Sequence, residues 1–137
     1  MTGGGGEVPD ASSWSLDLRG AQPAAVAHVR RWASRMLRGA SDECLADLLL
    51  VATEILANAY DHGNGPQQVR LSCDRAVRRV RIEVDDRCRD HPTPGHSRLD
   101  AGRGRGMIIV AGLAEEWGVR DHPGAGGKTV WADIHVR

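Results

Sequence analysis

Three polar side chains recur at intervals of four residues in the segment TEILANAYDHG: Glu54, Asn58 and His62. In an α-helix each four-residue step turns by only about 40°, so these side chains would form a stripe along one side. A carboxylate and an amide one turn apart can hold Mg²⁺ through oxygen ligands and orient a hydroxyl group or a water molecule. The carboxylate can also accept a proton as a general base. A solvated helix face without any chemistry would show the same spacing.

Two acidic residues, Asp85 and Asp86, follow a strand-like segment that ends at Val84. In a pocket, a carboxylate at this position would accept a hydrogen bond from an exocyclic amine, because its burial without a partner would be costly. Acidic pairs at strand ends are more often exposed turn residues. Neighbouring residues on a strand face opposite sides of the sheet, so the register decides which of the two would enter a pocket.

Glycine and arginine alternate directly before a second apolar segment, in the order Gly102, Arg103, Gly104, Arg105 and Gly106. Backbone N–H groups in glycine-permitted turns can form a concave anion site, to which a helix beginning at Gly106 would add its dipole. The two arginines could bind phosphate oxygens with a forked geometry. A flexible glycine loop without a ligand is the alternative interpretation.

The segment 124–129 contains Gly-Lys-Thr, which superficially matches a phosphate-binding P-loop. A P-loop needs a glycine five positions before Gly127, where this sequence has His122, and it must open a helix. From Val130 onward apolar and polar residues alternate instead, which predicts a terminal strand with one buried face. The sequence therefore excludes a P-loop at this position.

The elements predicted to carry these residues are a strand, two helices, two strands, a long polar loop, a helix and two strands. Pro23 suits the start of the first helix and Ser41 can cap the second, which is the most regular of the three. Helices on one face of a mainly antiparallel sheet satisfy this order. The strands are predicted at 14–18, 69–74, 77–84, 117–120 and 128–136, and the helices at 24–37, from the Ser41 cap to the Gly63 stop, and at 107–114.

The composition describes a folded chain of one domain. The 137 residues are 41% hydrophobic and 26% charged, which is globular rather than disordered. We predict a flexible N-terminal tail at 1–12 and the domain at 13–137. The formal net charge is zero, which predicts no general attraction to nucleic acid or membrane. An odd number of cysteines and a start without a signal-peptide pattern predict a cytoplasmic location.

The order and spacing of four motifs resemble the GHKL ATPase superfamily, which includes histidine kinase catalytic domains and gyrase. The motifs are EILANAYDHG, the strand that ends at Asp86, GRGRGM and GKTVW. Within the superfamily the chain is most similar to the small anti-sigma-factor serine kinases, in particular the short ATP-binding regulators of actinobacteria. The resemblance extends from Trp14 to the C-terminus. It implies an α+β fold, the two-layer α/β sandwich of the Bergerat type, with helices on one face of a mainly antiparallel mixed sheet.

This resemblance implies roles for individual residues in binding ATP and Mg²⁺. Glu54 is the expected catalytic base, Asn58 the expected Mg²⁺ ligand, and His62 a residue near the phosphates. Asp86 is expected to read the adenine amino group, with help from the hydroxyl of Thr129. Further expected ATP-binding residues lie in the lid region, with Arg105 directed at the γ-phosphate: Gly102, Gly104, Arg105, Gly106 and Met107.

One of these motifs departs from the superfamily pattern, which is Asp-x-Gly-x-Gly. Here it reads Asp86-Arg-Cys-Arg-Asp90, and both glycines are missing. A glycine at these positions lets the backbone approach the base. The replacement of both therefore bears on nucleotide affinity.

The resemblance implies a serine/threonine kinase that binds a sigma factor and phosphorylates a serine on a STAS-type anti-anti-sigma protein. Homodimers are common in the family. The altered motif motivates an alternative, an interaction protein of the same fold that regulates a partner by binding alone. A detached histidine-kinase catalytic domain is a third hypothesis. Such kinases carry a phosphoacceptor histidine on a dimerising helix pair, whereas His28 lies on a helix that fits inside the domain. Each hypothesis expects protein partners, with no direct binding to nucleic acid or membrane.

Overall fold

The computed structural model describes residues 11–61, 65–88, 101–124 and 126–135. The elements follow in the predicted order: β1 (Ala11–Asp17), α1 (Ala25–Met36), α2 (Asp42–Asp61), β2 (Pro66–Asp74), β3 (Arg79–Asp86), α3 (Ala101–Leu113), β4 (Glu116–His122) and β5 (Gly127–His135). Residues 11 and 12, predicted to belong to the flexible tail, instead begin β1 and pair with Asp74 and Cys73 of β2. The rest of the predicted tail lies outside the described residues.

The strands form one sheet in the order β1-β2-β3-β5-β4. The predicted α+β sandwich is confirmed, but the sheet is not mixed, because every pair of neighbouring strands described is antiparallel. After β3 the chain forms α3, continues into the edge strand β4 and turns back into β5, which pairs with β3. This path places the end of β3 beside the beginning of β5, where Asp86 pairs in register with Lys128.

One face of the sheet carries the hydrophobic core. Alternate residues of β3 are buried, and the residues between them are partly exposed, as expected for a strand covered on one side only. The buried stripe of α2 packs in the same core cluster. The largest contributors from these two elements are Leu48, Val51, Ile55, Leu56, Val80 and Ile82.

The helix α2 is the central helix and contacts both α1 and α3. Its first turn is stabilised by Ser41, whose Oγ accepts a hydrogen bond from the N–H of Cys44 at 3.1 Å, as a helix cap does. Asp42 and Glu43 follow in the first turn, where the helix dipole favours negative charge. Within the described residues, no helix is both long enough and apolar enough to cross a membrane.

The helix α3 begins earlier than predicted. We expected it to start at the last glycine of the GRGRGM segment, after a non-helical anion nest, but the helix begins at Ala101 and includes all three glycines. Glycine tolerates helical dihedral angles, at a cost of about 1 kcal/mol each relative to alanine. Packing of the following residues offsets this cost, because Met107 and Val110 are both buried in the core.

The opposite face of the sheet is built largely from ion pairs. Asp133 is fully buried and accepts two hydrogen bonds from Arg81, at 2.7 and 2.9 Å. The guanidinium of Arg81 also lies 4.3 Å from the ring centroid of Trp131, which adds a cation–π contact. Polar contacts therefore stabilise this face in the described part of the chain.

Candidate functional site

Glu54 and Asn58 lie on the flank of α2 that is turned away from α1. The α1 side of the helix is marked by Thr53, which accepts a hydrogen bond from Arg30 at 2.9 Å, and by Tyr60, whose hydroxyl bonds to Gln22 just before α1. Glu54 and Asn58 each lie roughly 100° or more from Thr53 and from Tyr60 around the helix axis. Both side chains are half-buried.

No described residue donates a hydrogen bond or forms an ion pair with the side chain of Glu54 or Asn58. The carboxylate and amide oxygens therefore retain their capacity to accept protons or bind a cation, and oxygen donors are the set that Mg²⁺ prefers. The residues present thus fit the expected ion. His62, the third member of the predicted stripe, lies outside the described residues.

Asp86 is the acidic residue that faces the helix layer. It continues the buried alternation of Val80, Ile82 and Val84 and is 4% exposed at the end of β3. Asp85 points to the other face, where Arg70 forms two hydrogen bonds with its carboxylate. The register, which the sequence left open, therefore places Asp86 on the side of Glu54 and Asn58.

The carboxylate of Asp86 is already paired with a buried lysine. The Nζ of Lys128 donates to Oδ1 of Asp86 at 2.8 Å and to the carbonyl oxygen of Cys88 at 2.8 Å. The N–H of Cys88 donates to the same Oδ1 at 2.8 Å. Lys128 is only 2% exposed. We did not predict this residue, although its two-residue offset from Val130 would have placed it on the buried face of β5.

Thr129 does not assist Asp86 as predicted. Its hydroxyl donates to Asp85, with which it pairs in register on the opposite face of the sheet. The prediction of this contact is wrong because Thr129 and Lys128 are neighbours on β5 and neighbours face opposite sides. Since the single hydroxyl proton goes to Asp85, the Nε2 of His122, 2.7 Å away, donates its own proton to Thr129.

The lid residues predicted from the glycine pattern are placed by α3. Gly102, Gly104 and Gly106 lie in its first two turns. Of the three, only Gly102 has its N–H among the groups that lack a partner within the helix and could bind an anion. Met107 is 2% exposed and packs in the core. The side chain of Arg105 lies outside the described residues.

Residues 20–134 match the family model of the histidine kinase-like ATPase domain. The chain belongs to this family. Membership implies that the domain binds ATP, and it agrees with the observed fold. No match was found among curated proteins.

Two solved structures resemble this histidine kinase-like ATPase domain. The crystal structure of the RsbU and RsbW domains of Rv1364c from Mycobacterium tuberculosis superposes with a TM-score of 0.65 at 23% identity, over 94% of this chain. The chain spans only 33% of that protein. The histidine kinase domain of the blue-light activated kinase EL346 from Erythrobacter litoralis has a TM-score of 0.48 at 23% identity, covering 94% of this chain and 69% of that one. At this level of identity the first structure supports the fold alone.

Within the described part of this ATPase domain, no three histidine, cysteine, aspartate or glutamate residues cluster closely enough to hold a metal ion by themselves. A divalent ion at this site would therefore take most of its ligands from water and from a bound substrate, and not from these side chains. Mg²⁺ commonly does so, keeping several waters and binding substrate phosphates.

The carboxyl group of Asp85 is held in its ionised form. Burial by itself raises the pKa of Asp85, but the hydrogen bonds from Arg70 and Thr129 outweigh burial and leave the pKa below its ordinary value of 3.8. The charge of Arg70 acts in the same direction. Asp85, Arg70 and Thr129 thus form a polar cluster that favours the folded chain when Asp85 is ionised.

The stability that Asp85 contributes is expected to disappear in acid. Because its pKa is lower in the folded chain than in the unfolded chain, the contribution is complete above pH 3.8 and is lost as the pH falls through the folded-state pKa. We expect the difference in unfolding free energy between wild type and Asp85→Asn to be constant from about pH 7 to pH 5 and to shrink below about pH 4. Urea unfolding at each pH measures this difference. A difference that does not change with pH would contradict the prediction.

Proposed function

We propose that this chain is an ATP-binding regulator that transfers a phosphoryl group from ATP to a serine or threonine of a partner protein. The observation that carries the proposal is the combination of two sites on the helix-facing side of the sheet. Glu54 and Asn58 present oxygens without partners among the described residues, and Asp86 is buried at the end of β3. Membership of the histidine kinase-like ATPase domain family supports ATP as the nucleotide.

The chemistry assigned to these residues is proton acceptance and positioning. Asn58 would hold Mg²⁺ through its side-chain oxygen, and the ion, when bound, neutralises charge on the phosphates. Glu54 would accept the proton of the attacking hydroxyl. The hydroxyl oxygen then bonds to the γ-phosphorus, the bond from that phosphorus to the bridging oxygen breaks, and ADP leaves with the electron pair. Such a transfer depends mainly on positioning and charge stabilisation, which these residues can supply.

The proposed partners follow the anti-sigma-factor kinase type: a sigma factor that is bound, and a STAS-type anti-anti-sigma protein that is phosphorylated on serine. The partner type is taken from the resemblance of the motifs, and the fold shared with a structure that contains an RsbW domain agrees with it. Self-association into a homodimer belongs to the same proposal. The zero net charge of the chain agrees with partners that are proteins rather than nucleic acid.

Calorimetric titration with ATP, in the presence and absence of Mg²⁺, tests the proposal. We expect binding that strengthens at least about tenfold when Mg²⁺ is present, because an ion held by Asn58 would neutralise charge on the phosphates. Asn58→Ala should remove this strengthening, whereas Gln68→Ala, on the opposite face of the sheet, should retain it. Absence of binding up to about millimolar ATP would contradict the proposal.

A second function is favoured by the Lys128–Asp86 pair. The ammonium of Lys128 gives the buried carboxylate of Asp86 a partner from within the chain, so this part of the fold does not need a nucleotide to satisfy it. The loss of both glycines after Asp86 points in the same direction. Partner binding that is unchanged by Asn58→Ala and by removal of ATP would support this interaction-protein function over the kinase.

A further inference from the structure

The ammonium of Lys128 joins two groups of the turn after β3. The Nζ of Lys128 bonds to the carboxylate of Asp86 and to the carbonyl of Cys88, each at 2.8 Å. Cys88 returns its N–H to the same carboxylate oxygen at 2.8 Å. The segment 86–88 is therefore closed into a compact turn whose carboxylate, amide and carbonyl are held together by β5.

Gly127 holds the same turn by close contact. A Cβ atom at this position would lie 2.3 Å from the carbonyl oxygen of Asp86 and 3.2 Å from the Cα of Arg87. The beginning of β5 is thus in van der Waals contact with the backbone after β3. The turn is constrained from two sides, by the backbone at Gly127 and by the ammonium of Lys128.

These contacts leave the two carboxylate oxygens of Asp86 with different numbers of hydrogen bonds. In the described part of the chain, both hydrogen bonds to this carboxylate fall on Oδ1. A carboxylate oxygen has two lone-pair sites, so Oδ1 is saturated and Oδ2 retains its acceptor capacity. Since Asp86 is almost completely buried, the adjacent ammonium also offsets part of the cost of burying its charge.

We propose that Lys128 is a positioning residue that sets the base selectivity of the nucleotide site. It holds Asp86 ionised, with Oδ1 occupied and Oδ2 left to accept a hydrogen bond from an exocyclic amine. This inference rests on the proposed function, because it requires a nucleotide whose base reaches Asp86. An ionised carboxylate accepts only, so it favours the 6-amino group of adenine over the 6-carbonyl of hypoxanthine.

Loss of the ammonium would change what the carboxyl group can recognise. A buried carboxylate without a counter-charge takes up a proton or leaves its site, because an isolated buried charge is costly. A protonated carboxyl both donates and accepts, and it binds a carbonyl as readily as an amine. The ratio of inosine triphosphate (ITP) to ATP dissociation constants therefore reports the state of Asp86.

Titrations of ATP and ITP against wild type, Lys128→Met and Lys128→Arg test this inference. We expect wild type to prefer ATP by at least about tenfold, Lys128→Met to bring the ratio close to one, and Lys128→Arg, which retains a charged donor, to preserve the preference. A fall in the folded fraction weakens both nucleotides equally and leaves their ratio unchanged. The ratio thus separates positioning from general destabilisation. Lys128→Gln replaces Lys128→Met if the latter does not unfold cooperatively.

A second readout uses the wild-type chain alone. Lys128 is the sole lysine of the sequence, so protein labelled with ¹³C,¹⁵N-lysine gives a single side-chain ammonium signal by NMR. We expect this signal to shift on addition of ATP, with the same dissociation constant as the calorimetric titration. A signal that is unchanged at saturating ATP would overturn the inference.

The outcomes also separate this inference from the proposed function. If wild type binds neither nucleotide, the proposed function fails. If wild type prefers ATP and Lys128→Met retains the same ratio, ATP binding stands and the role of Lys128 is wrong. Tighter ATP binding by Lys128→Met would also overturn the inference, because it would mean that the ammonium competes with the base for Asp86.

Discussion

Glu54→Gln is expected to lower the rate of phosphoryl transfer at least about a hundredfold, while the ATP dissociation constant should change little. Glutamine keeps the shape of the side chain and one oxygen, but its amide cannot accept the proton of the attacking hydroxyl. The prediction rests on the position of Glu54, half-buried on the flank of α2 and without a partner among the described residues that would compete for its oxygens. General-base catalysis typically contributes a factor of about 10² to 10⁴.

The measurement is transfer of label from γ-³²P-ATP to a serine-containing STAS-type acceptor, with calorimetry for ATP binding. Glu43→Gln is the matched control, because it makes the same change in the first turn of the same helix. This control should transfer phosphate at the wild-type rate. If Glu54→Gln does so too, Glu54 is not the base and the proposed mechanism fails.

Gly127→Ala is expected to lower the free energy of unfolding by about 3 kcal/mol and to abolish ATP binding. The added Cβ would lie 2.3 Å from the carbonyl oxygen of Asp86, which is backbone and has no alternative rotamer. Relief requires β3 and β5 to separate where Lys128 and Asp86 are joined, so the clash reaches the carboxylate that we propose reads the base. The glycine is needed here for close approach of two strands.

Urea unfolding and ATP titration of this variant are compared with Gly112→Ala, a matched change in α3. A Cβ at Gly112 would meet nothing within 4 Å, and alanine favours a helix over glycine by about 1 kcal/mol. Gly112→Ala should therefore raise the stability slightly and leave ATP binding intact. A Gly127→Ala variant as stable as wild type would show that the end of β3 adapts freely, and it would weaken the positioning argument for Lys128.

The order of the elements could be read from the sequence because it depends on local patterns. The helical spacing of apolar residues on α2 and the alternation after Val130 are properties of short segments, and the structure confirms the helix and the strand. The prediction of a single buried face on β5 is wrong, because Thr129 and Asp133 on the other face are buried in polar contacts. The Ser41 cap is local in the same sense. The Glu-x-x-x-Asn spacing placed Glu54 and Asn58 on one side of α2 for this reason also.

The start of α3 could not be read in this way. Gly102, Gly104 and Gly106 permit a helix, a turn or a nest equally well at the level of local dihedral angles. The packing of the residues that follow decides among them, and Met107 and Val110 are buried against other elements. Tertiary packing therefore determines the backbone conformation at the start of α3.

The sequence by itself determined which residues could do chemistry, and the tertiary structure decided which of them meet. Asp86 and Lys128 are 42 positions apart, and only the pairing of β3 with β5 brings them together. The same register directs Thr129 to Asp85 on the opposite face. A shift of one residue would exchange these partners, because successive side chains on a strand alternate between the two faces of the sheet.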